Sequence, residues 1–200
     1  MKQKKMYLLS GCLKGIAIGL ILLVPLWVTA DVVLSINDKT SLTAWKLKSY
    51  PLEIDFRSQP PKSIEAFFIA RGFSAEIAER ISRQCVFQVI AKNTGTAGDP
   101  IIHISLKNWQ VKHKDSLKPI KLKEVWDAQW SEGTVSEASR IAFRWATFPA
   151  EQVFRPTGDY GWGMVSIGLP AGEVFDLQVV WQQDEAIKKE WLRGMSCPDE

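Results

Sequence analysis

The fold is decided by the segment IAFRWATFPAEQVFRPTGDYGWGMVSIGLPAGEVFDLQVVW, residues 141–181. Within it, residues 141–148, 162–169 and 175–181 each alternate with period two, which is typical of half-buried β-strands. A Pro-Ala-Gly sequence starting at Pro170 favours a tight turn between the last two strands. The segment therefore predicts three consecutive antiparallel strands joined by short connections.

The tryptophan residues of this segment are expected to differ in burial. Trp145 and Trp181 lie in strand registers that predict burial. Trp162 falls on the more polar face of its strand, opposite Val165 and Ile167, and is expected outside the core or at the rim of the sheet. The alternative, which the usual burial of large aromatic side chains slightly favours, is that the loop before it folds back, so that Trp162 caps one end of the fold.

Earlier parts of the chain predict one helical hairpin and two strands. Residues 63–83 have the apolar spacing of two short helices, and Ser74 is the expected N-cap of the second helix. Residues 85–92 are apolar on both faces and predict a buried strand. Residues 101–113 predict a long strand with a bulge or twist near Asn108.

Three further segments complete the prediction. Residues 114–123 are basic and contain a proline, which favours a solvated loop. Residues 124–131 place Trp126 and Trp130 on one face of a helical turn. Residues 185–193 fit either a helix or the last strand of a hairpin, and the strand is favoured because it returns Cys197 to the sheet.

About seven strands at this spacing predict a mainly β fold. We expect an antiparallel β-sandwich, immunoglobulin-like, with the helical hairpin at 63–83 inserted before the strand that carries Cys85. An open α+β sheet is the alternative.

The first 30 residues are the most specific signal in the sequence. Lys2, Lys4 and Lys5 precede an apolar run over residues 15–28, and small residues follow before Asp31. This order is typical of a secretory signal peptide; an uncleaved N-terminal membrane anchor is the alternative. The sequence therefore predicts one exported domain over residues 31–200, in a periplasmic or extracytoplasmic location.

The charge balance argues against nucleic-acid binding. Four of the 25 Lys and Arg residues lie in the first 30 positions, which leaves 21 basic residues against 22 acidic residues in the rest of the chain. A nearly neutral body lacks the basic footprint of a nucleic-acid-binding surface.

Cys85 and Cys197 are the two cysteines of the predicted exported part. In an oxidising compartment, such a pair favours one disulfide bond. The bond would tie the C-terminal segment to the strand at 85–92.

The sequence contains none of the recognisable catalytic motifs, so we predict a non-catalytic protein without a cofactor. His103 and His113 are ten residues apart on one predicted strand, roughly 33 Å if the strand is straight, so they cannot ligate one metal ion. We expect both histidines to face solvent, and no metal site is predicted.

Exposed aromatic side chains are the remaining candidates for binding. Asp159, Tyr160 and Trp162 occupy a glycine-rich loop at the start of a strand, and Trp126 and Trp130 form a second, weaker candidate pair. These residues predict a protein-binding accessory or assembly factor. The alternative is a carbohydrate-binding or copper-handling periplasmic module.

Overall fold

The structure is a computed structural model that describes residues 30–36, 42–130 and 133–199. Residues 1–29 lie outside the described part, so the predicted signal peptide or membrane anchor stays a prediction. No helix within the described ranges has the length and apolar character needed to cross a membrane.

The described residues form eleven strands and four α-helices, labelled in chain order. The strands are β1 (Asp31–Ile36), β2 (Thr43–Ser49), β3 (Leu52–Ser58), β4 (Gln84–Asn93), β5 (Ile102–Ser105), β6 (Gln110–His113), β7 (Ser116–Pro119), β8 (Glu151–Phe154), β9 (Tyr160–Pro170), β10 (Val174–Gln183) and β11 (Ala186–Ser196). The helices are α1 (Pro61–Ile69), α2 (Ala75–Ser82), α3 (Lys123–Gln129) and α4 (Glu137–Ala146).

The strands form two antiparallel sheets. The first sheet has the order β1-β2-β3-β4-β9. In the second sheet, β10 is the central strand. One of its edges pairs with β11, and the other edge pairs with β5 and, further along, with β6. Strand β8 then pairs with β5, and β7 pairs with β6. Buried side chains of both sheets form one shared hydrophobic core. The predicted mainly β architecture with two antiparallel layers is thus confirmed.

The immunoglobulin-like part of the prediction is not confirmed. Strands β1 to β4 follow one another within a single sheet. An immunoglobulin domain instead divides its strands between an ABED sheet and a CFG sheet.

The prediction of a strand at residues 141–148 is wrong, because these residues belong mainly to helix α4. Ser136 caps this helix by accepting a hydrogen bond from the Ser139 amide at 3.1 Å. Phe143 and Ala146 then face the protein interior at helical spacing. The same residues also alternate with period two, which is why the pattern suggested a strand. The helix leaves Trp145 exposed, contrary to its predicted burial, whereas Trp181 is buried as predicted.

The other segments largely follow the sequence. Helices α1 and α2 form the predicted hairpin, with Ser74 accepting from the Ile77 amide at 3.3 Å. A 3₁₀ turn, Leu106–Asn108, separates β5 from β6 near the predicted irregularity. The region of 114–123, predicted as a loop, contains strand β7, which is stabilised by pairing with β6. The favoured strand after residue 184 is present as β11.

The predicted disulfide bond is present between Cys85 in β4 and Cys197 just after β11. Their Cα atoms are 5.6 Å apart, and both residues are buried. The bond therefore links the first sheet to the C-terminal end of the second sheet.

A second hydrophobic cluster lies between the helices and the outer face of the first sheet. It combines residues of all four helices and their connections with Val86 of β4, and Met164 of β9 packs against it. The Phe143 ring lies near its centre, with ring centroids of Trp130 at 4.9 Å and Phe68 at 5.5 Å. The helices thus form a third layer that covers part of the first sheet.

Gly163 marks the closest approach between β9 and the segment that follows α4. A Cβ atom on Gly163 would lie 2.5 Å from the Phe148 Cα and 2.7 Å from the Thr147 carbonyl carbon. We expect Gly163→Ala to destabilise the protein by about 3 kcal/mol, because the backbone of 147–148 must move away. Chemical denaturation measures the change.

Gly161 provides the matched control for this substitution. It lies in the same strand with the same parity, but its nearest neighbour would be a Phe154 side-chain carbon at 3.2 Å. This contact is less severe than the backbone contacts at Gly163, although the Phe154 ring is fully buried, so Gly161→Ala should cost about 1–2 kcal/mol. Equal losses for the two variants would contradict the proposed backbone contact.

Candidate binding surface

Three exposed aromatic side chains surround one depression at the edge of the first sheet. Trp145 is 83% exposed, Tyr160 is 63% exposed and Trp162 is 56% exposed. The depression is open to solvent and has a volume of about 710 Å³, which lies within the usual range for ligand sites. We call it the aromatic depression; its lining residues are Arg144, Trp145, Thr147, Pro149, Tyr160, Gly161 and Trp162.

The alternation of β9 brings two of these rings to the outer face of the sheet. Tyr160 lies opposite Lys92 of β4, and Trp162 lies opposite Ile90. Gly161, between them, points inward toward the Phe154 ring. Of the two positions that the sequence leaves open for Trp162, the structure shows the one outside the core.

Helix α4 supplies the third ring. Just after the helix, Thr147 forms a parallel bridge with Met164, and the Phe148 amide donates to the Met164 carbonyl at 2.9 Å. This attachment places the end of α4 beside β9, so Trp145 reaches the same depression as Trp162. Trp145 is not among the predicted site residues, because the period-two pattern of residues 141–148 predicts a strand in which it is buried. Helical spacing from the Ser136 cap is the signal that points to its exposure.

Asp159 does not line the aromatic depression. Its carboxylate accepts a hydrogen bond from the Arg155 amide at 3.1 Å, and its carbonyl accepts one from the Asn93 amide at 2.9 Å. Asp159 therefore closes the turn before β9 and holds Tyr160 at the start of the strand.

The second predicted pair does not belong to the surface. Trp126 is 2% exposed and Trp130 is 5% exposed, and both pack around Phe143 in the helical cluster. The Lys121 ammonium lies 3.3 Å from the centroid of the Trp126 ring, and burial, followed by the positive charge of Arg80, lowers the pKa of the Lys121 amine. Trp126 in α3 and Trp130 at its C-cap pack against the apolar side chains of the helical cluster, so they do not form a binding surface.

The tryptophans of the structure separate clearly by exposure. Of the eight in the described part of the chain, Trp191 is half-buried and only Trp145 and Trp162 are exposed. The other five are buried: Trp45, Trp109, Trp126, Trp130 and Trp181. The two exposed indole rings meet in the same depression, which singles out that surface.

A polar cluster on the second sheet involves one of the two histidines. His103 contacts the Glu151 carboxylate at 3.1 Å, Ser105 donates to it at 3.2 Å, and Lys107 lies 3.3 Å away. These contacts, that of Lys107 above all, lower the pKa of Glu151.

His113 lies in a separate, half-buried pair. Its Nε2 atom is 2.7 Å from the Glu173 carboxylate. Each histidine thus has its own carboxylate partner. Among the described residues, no group of three or more His, Cys, Asp or Glu side chains is placed to hold a metal ion.

Comparison of this chain with protein-family models, curated proteins and solved structures finds no match. The aromatic depression is therefore the feature of the molecule from which a function can be inferred.

Proposed function

We propose that this chain is an exported, non-catalytic β-sandwich domain that binds a protein partner through the aromatic depression, as an accessory or assembly factor. The observation that carries the proposal is the convergence of Trp145, Tyr160 and Trp162 on one open surface. The disulfide between Cys85 and Cys197 supports export, because such bonds persist in oxidising compartments.

Exposed rings of this kind suit protein recognition. Folding leaves them largely in contact with water, so burying them against a partner provides a hydrophobic gain that the free protein has not used. Trp and Tyr are enriched among the few interface residues that carry most of the binding energy. Trp145 and Trp162, together with Tyr160, match that composition within one surface.

Replacing Tyr160 and Trp162 together by alanine is expected to weaken partner binding strongly while leaving stability nearly unchanged. The loss of two anchor side chains should cost about 3 kcal/mol of binding free energy, or roughly a hundredfold in affinity. The thermal unfolding midpoint should shift by only a few degrees, since both side chains are more than half exposed. Capture from periplasmic and membrane fractions, followed by titration of the captured partner, measures the first effect.

Two exposed residues of the second sheet provide the control. Val153 in β8 and Ile187 in β11 are apolar and exposed but lie outside the aromatic depression. The variant Val153→Ala/Ile187→Ala should retain full partner binding. A large fall in melting temperature for the Tyr160 and Trp162 variant, with binding retained by its folded fraction, would place the binding surface elsewhere.

Carbohydrate binding is the second candidate. The aromatic rings offer faces for stacking, and the Arg144 side chain beside them offers hydrogen-bond donors. Saturable binding of soluble oligosaccharides that disappears in the Trp162→Ala variant would favour this function over protein binding. Titration calorimetry with purified oligosaccharides makes the distinction.

A further inference from the structure

Only part of the outer edge of β9 has hydrogen-bond partners. On the inner side, β9 pairs with β4 along its length. On the outer side, the Met164 carbonyl accepts from the Phe148 amide at 2.9 Å, and the Ser166 carbonyl accepts from the Lys121 amide at 3.1 Å. These two contacts protect one end of the edge and leave the end at Tyr160 and Trp162 open.

The pairing pattern determines where the backbone groups of Tyr160 and Trp162 point. The Asn93 amide bonds to the Asp159 carbonyl, so Asn93 and Asp159 form a hydrogen-bonded pair. Hydrogen-bonded and non-hydrogen-bonded pairs alternate along an antiparallel ladder. Tyr160 and Trp162 therefore occupy non-hydrogen-bonded positions opposite β4, as Met164 and Ser166 do, and their N–H and C=O groups point outward.

These outward groups have no partner in the described structure. No backbone hydrogen bond within residues 30–36, 42–130 and 133–199 joins Tyr160 or Trp162 to a segment on the outer side of β9. The same two residues line the aromatic depression together with Trp145. An unsatisfied stretch of strand edge and an apolar surface therefore lie side by side.

We propose that the partner contributes an extended peptide segment, which adds as a strand to the edge of β9 at Tyr160 and Trp162 and places apolar side chains against Trp145 and Trp162. This inference rests on the proposed function, and it specifies the chemistry of the partner. Strand addition uses main-chain hydrogen bonds for affinity and side-chain pockets for specificity. Free N–H and C=O groups at strand spacing match a peptide main chain more closely than they match a sugar or a flat protein surface.

The structure also limits the length of the added strand. At one end, the Phe148 amide already bonds to the edge at Met164. At the other end, the Asp159 carbonyl accepts from the Asn93 amide of β4 and so is not available on the outer edge. Tyr160 and Trp162 remain, each with one backbone N–H and one backbone C=O on the outer edge. Together they can form at most about four main-chain hydrogen bonds. A partner segment of about four or five residues fills this edge, with alternate side chains on the face that carries Trp162.

A peptide probe tests the inference. Random twelve-residue peptides are displayed and selected on the full-length protein, and the selected peptide is synthesised in three forms. One form is unmodified, and the other two carry N-methyl groups on alternate backbone amides, one at the odd-numbered and one at the even-numbered positions. We expect N-methylation in one of the two alternate registers to weaken binding at least tenfold and in the other register to change it little, because only every second amide of an added strand faces β9.

A matched pair of protein variants tests the β9 side of the contact. Tyr160→Ala removes the ring, whereas Tyr160→Pro removes both the ring and the outward N–H. Proline is tolerated at this place, the first residue of a strand with its N–H pointing away from the sheet. We expect the proline variant to bind the peptide roughly three- to tenfold more weakly than the alanine variant.

Amide hydrogen exchange provides a readout that does not depend on a variant folding. In the free protein, the Tyr160 and Trp162 amides should exchange rapidly, and the unmodified peptide should slow both. Unchanged exchange together with tolerance of N-methylation in both registers would overturn strand addition while leaving the aromatic depression as a binding surface. Selection of no peptide would likewise overturn strand addition. Selected peptides that bind equally well to the Trp145→Ala and Trp162→Ala variants would overturn both proposals.

Discussion

Replacing Cys85 and Cys197 together by alanine is expected to lower the free energy of unfolding by about 4–5 kcal/mol. The bond joins residues 112 positions apart, so it removes a large amount of conformational freedom from the unfolded chain. The loss of two buried sulfur atoms adds a smaller packing cost. Denaturant titration of the two proteins under non-reducing conditions measures the difference.

Reduction of the bond provides the control for this experiment. A reducing agent should lower the stability of the unmodified protein to that of the double variant and should not affect the double variant. Equal stability of the oxidised protein and the double variant would contradict the stabilising role of the bond.

Replacing Phe143 by alanine is expected to cost about 3–5 kcal/mol. The ring is buried between Trp130, Phe68 and Phe73, with centroids 4.9, 5.5 and 6.3 Å away. Removing it leaves a cavity whose rigid aromatic walls cannot collapse easily. Loss of the edge-to-face contact with Trp130 adds to the cost. Thermal and denaturant unfolding of Phe143→Ala measure the effect.

Trp145 makes this experiment a test of the local fold as well. In a strand, Phe143 and Trp145 would lie on one face, and replacing either residue would affect the core. In helix α4 they lie on different faces, and Trp145 is exposed. Trp145→Ala should therefore cost less than about 1 kcal/mol. Similar large losses for both variants would favour the strand that the sequence pattern suggested.

Much of the β architecture could be predicted from local patterns. Residues 162–169 and 175–181 alternate because each strand has one face on the shared core, and Gly172 has the positive φ of +85° that its predicted turn requires. The pair Cys85 and Cys197 correctly predicted the link between β4 and the C-terminal segment. Helix α4 could not be recognised from the apolar pattern alone, because its residues fit both the period of a strand and the period of a helix. Packing against the other helices stabilises the helical form.

The aromatic depression was predictable only in part. Tyr160 and Trp162 follow from strand parity, which is a local property. The burial of Trp126 and Trp130 does not follow from their own segment, because nothing in it shows that α1, α2 and α4 cover them. Trp145 joins the site through the contact of the 147–148 backbone with Met164, a long-range pairing that no local pattern encodes.

The position of β9 in the first sheet has a consequence for biosynthesis. Strand β4 pairs with β9, whose first residue follows Lys92 by about 70 positions, so a nascent chain that emerges N-terminus first carries β4 with an open edge for several seconds of translation. During that interval Phe87, Val89 and Ala91 have neither β9 beside them nor the complete second sheet above them, because β10, which joins β5 to β6, is synthesised after β9. We expect this nascent stretch to bind holdase chaperones and to be the point at which truncated chains aggregate. Ribosome-arrested chains that lack residues 1–30 and end before residue 160 should therefore be chaperone-bound, and leaderless chains that include β10 and β11 should be released.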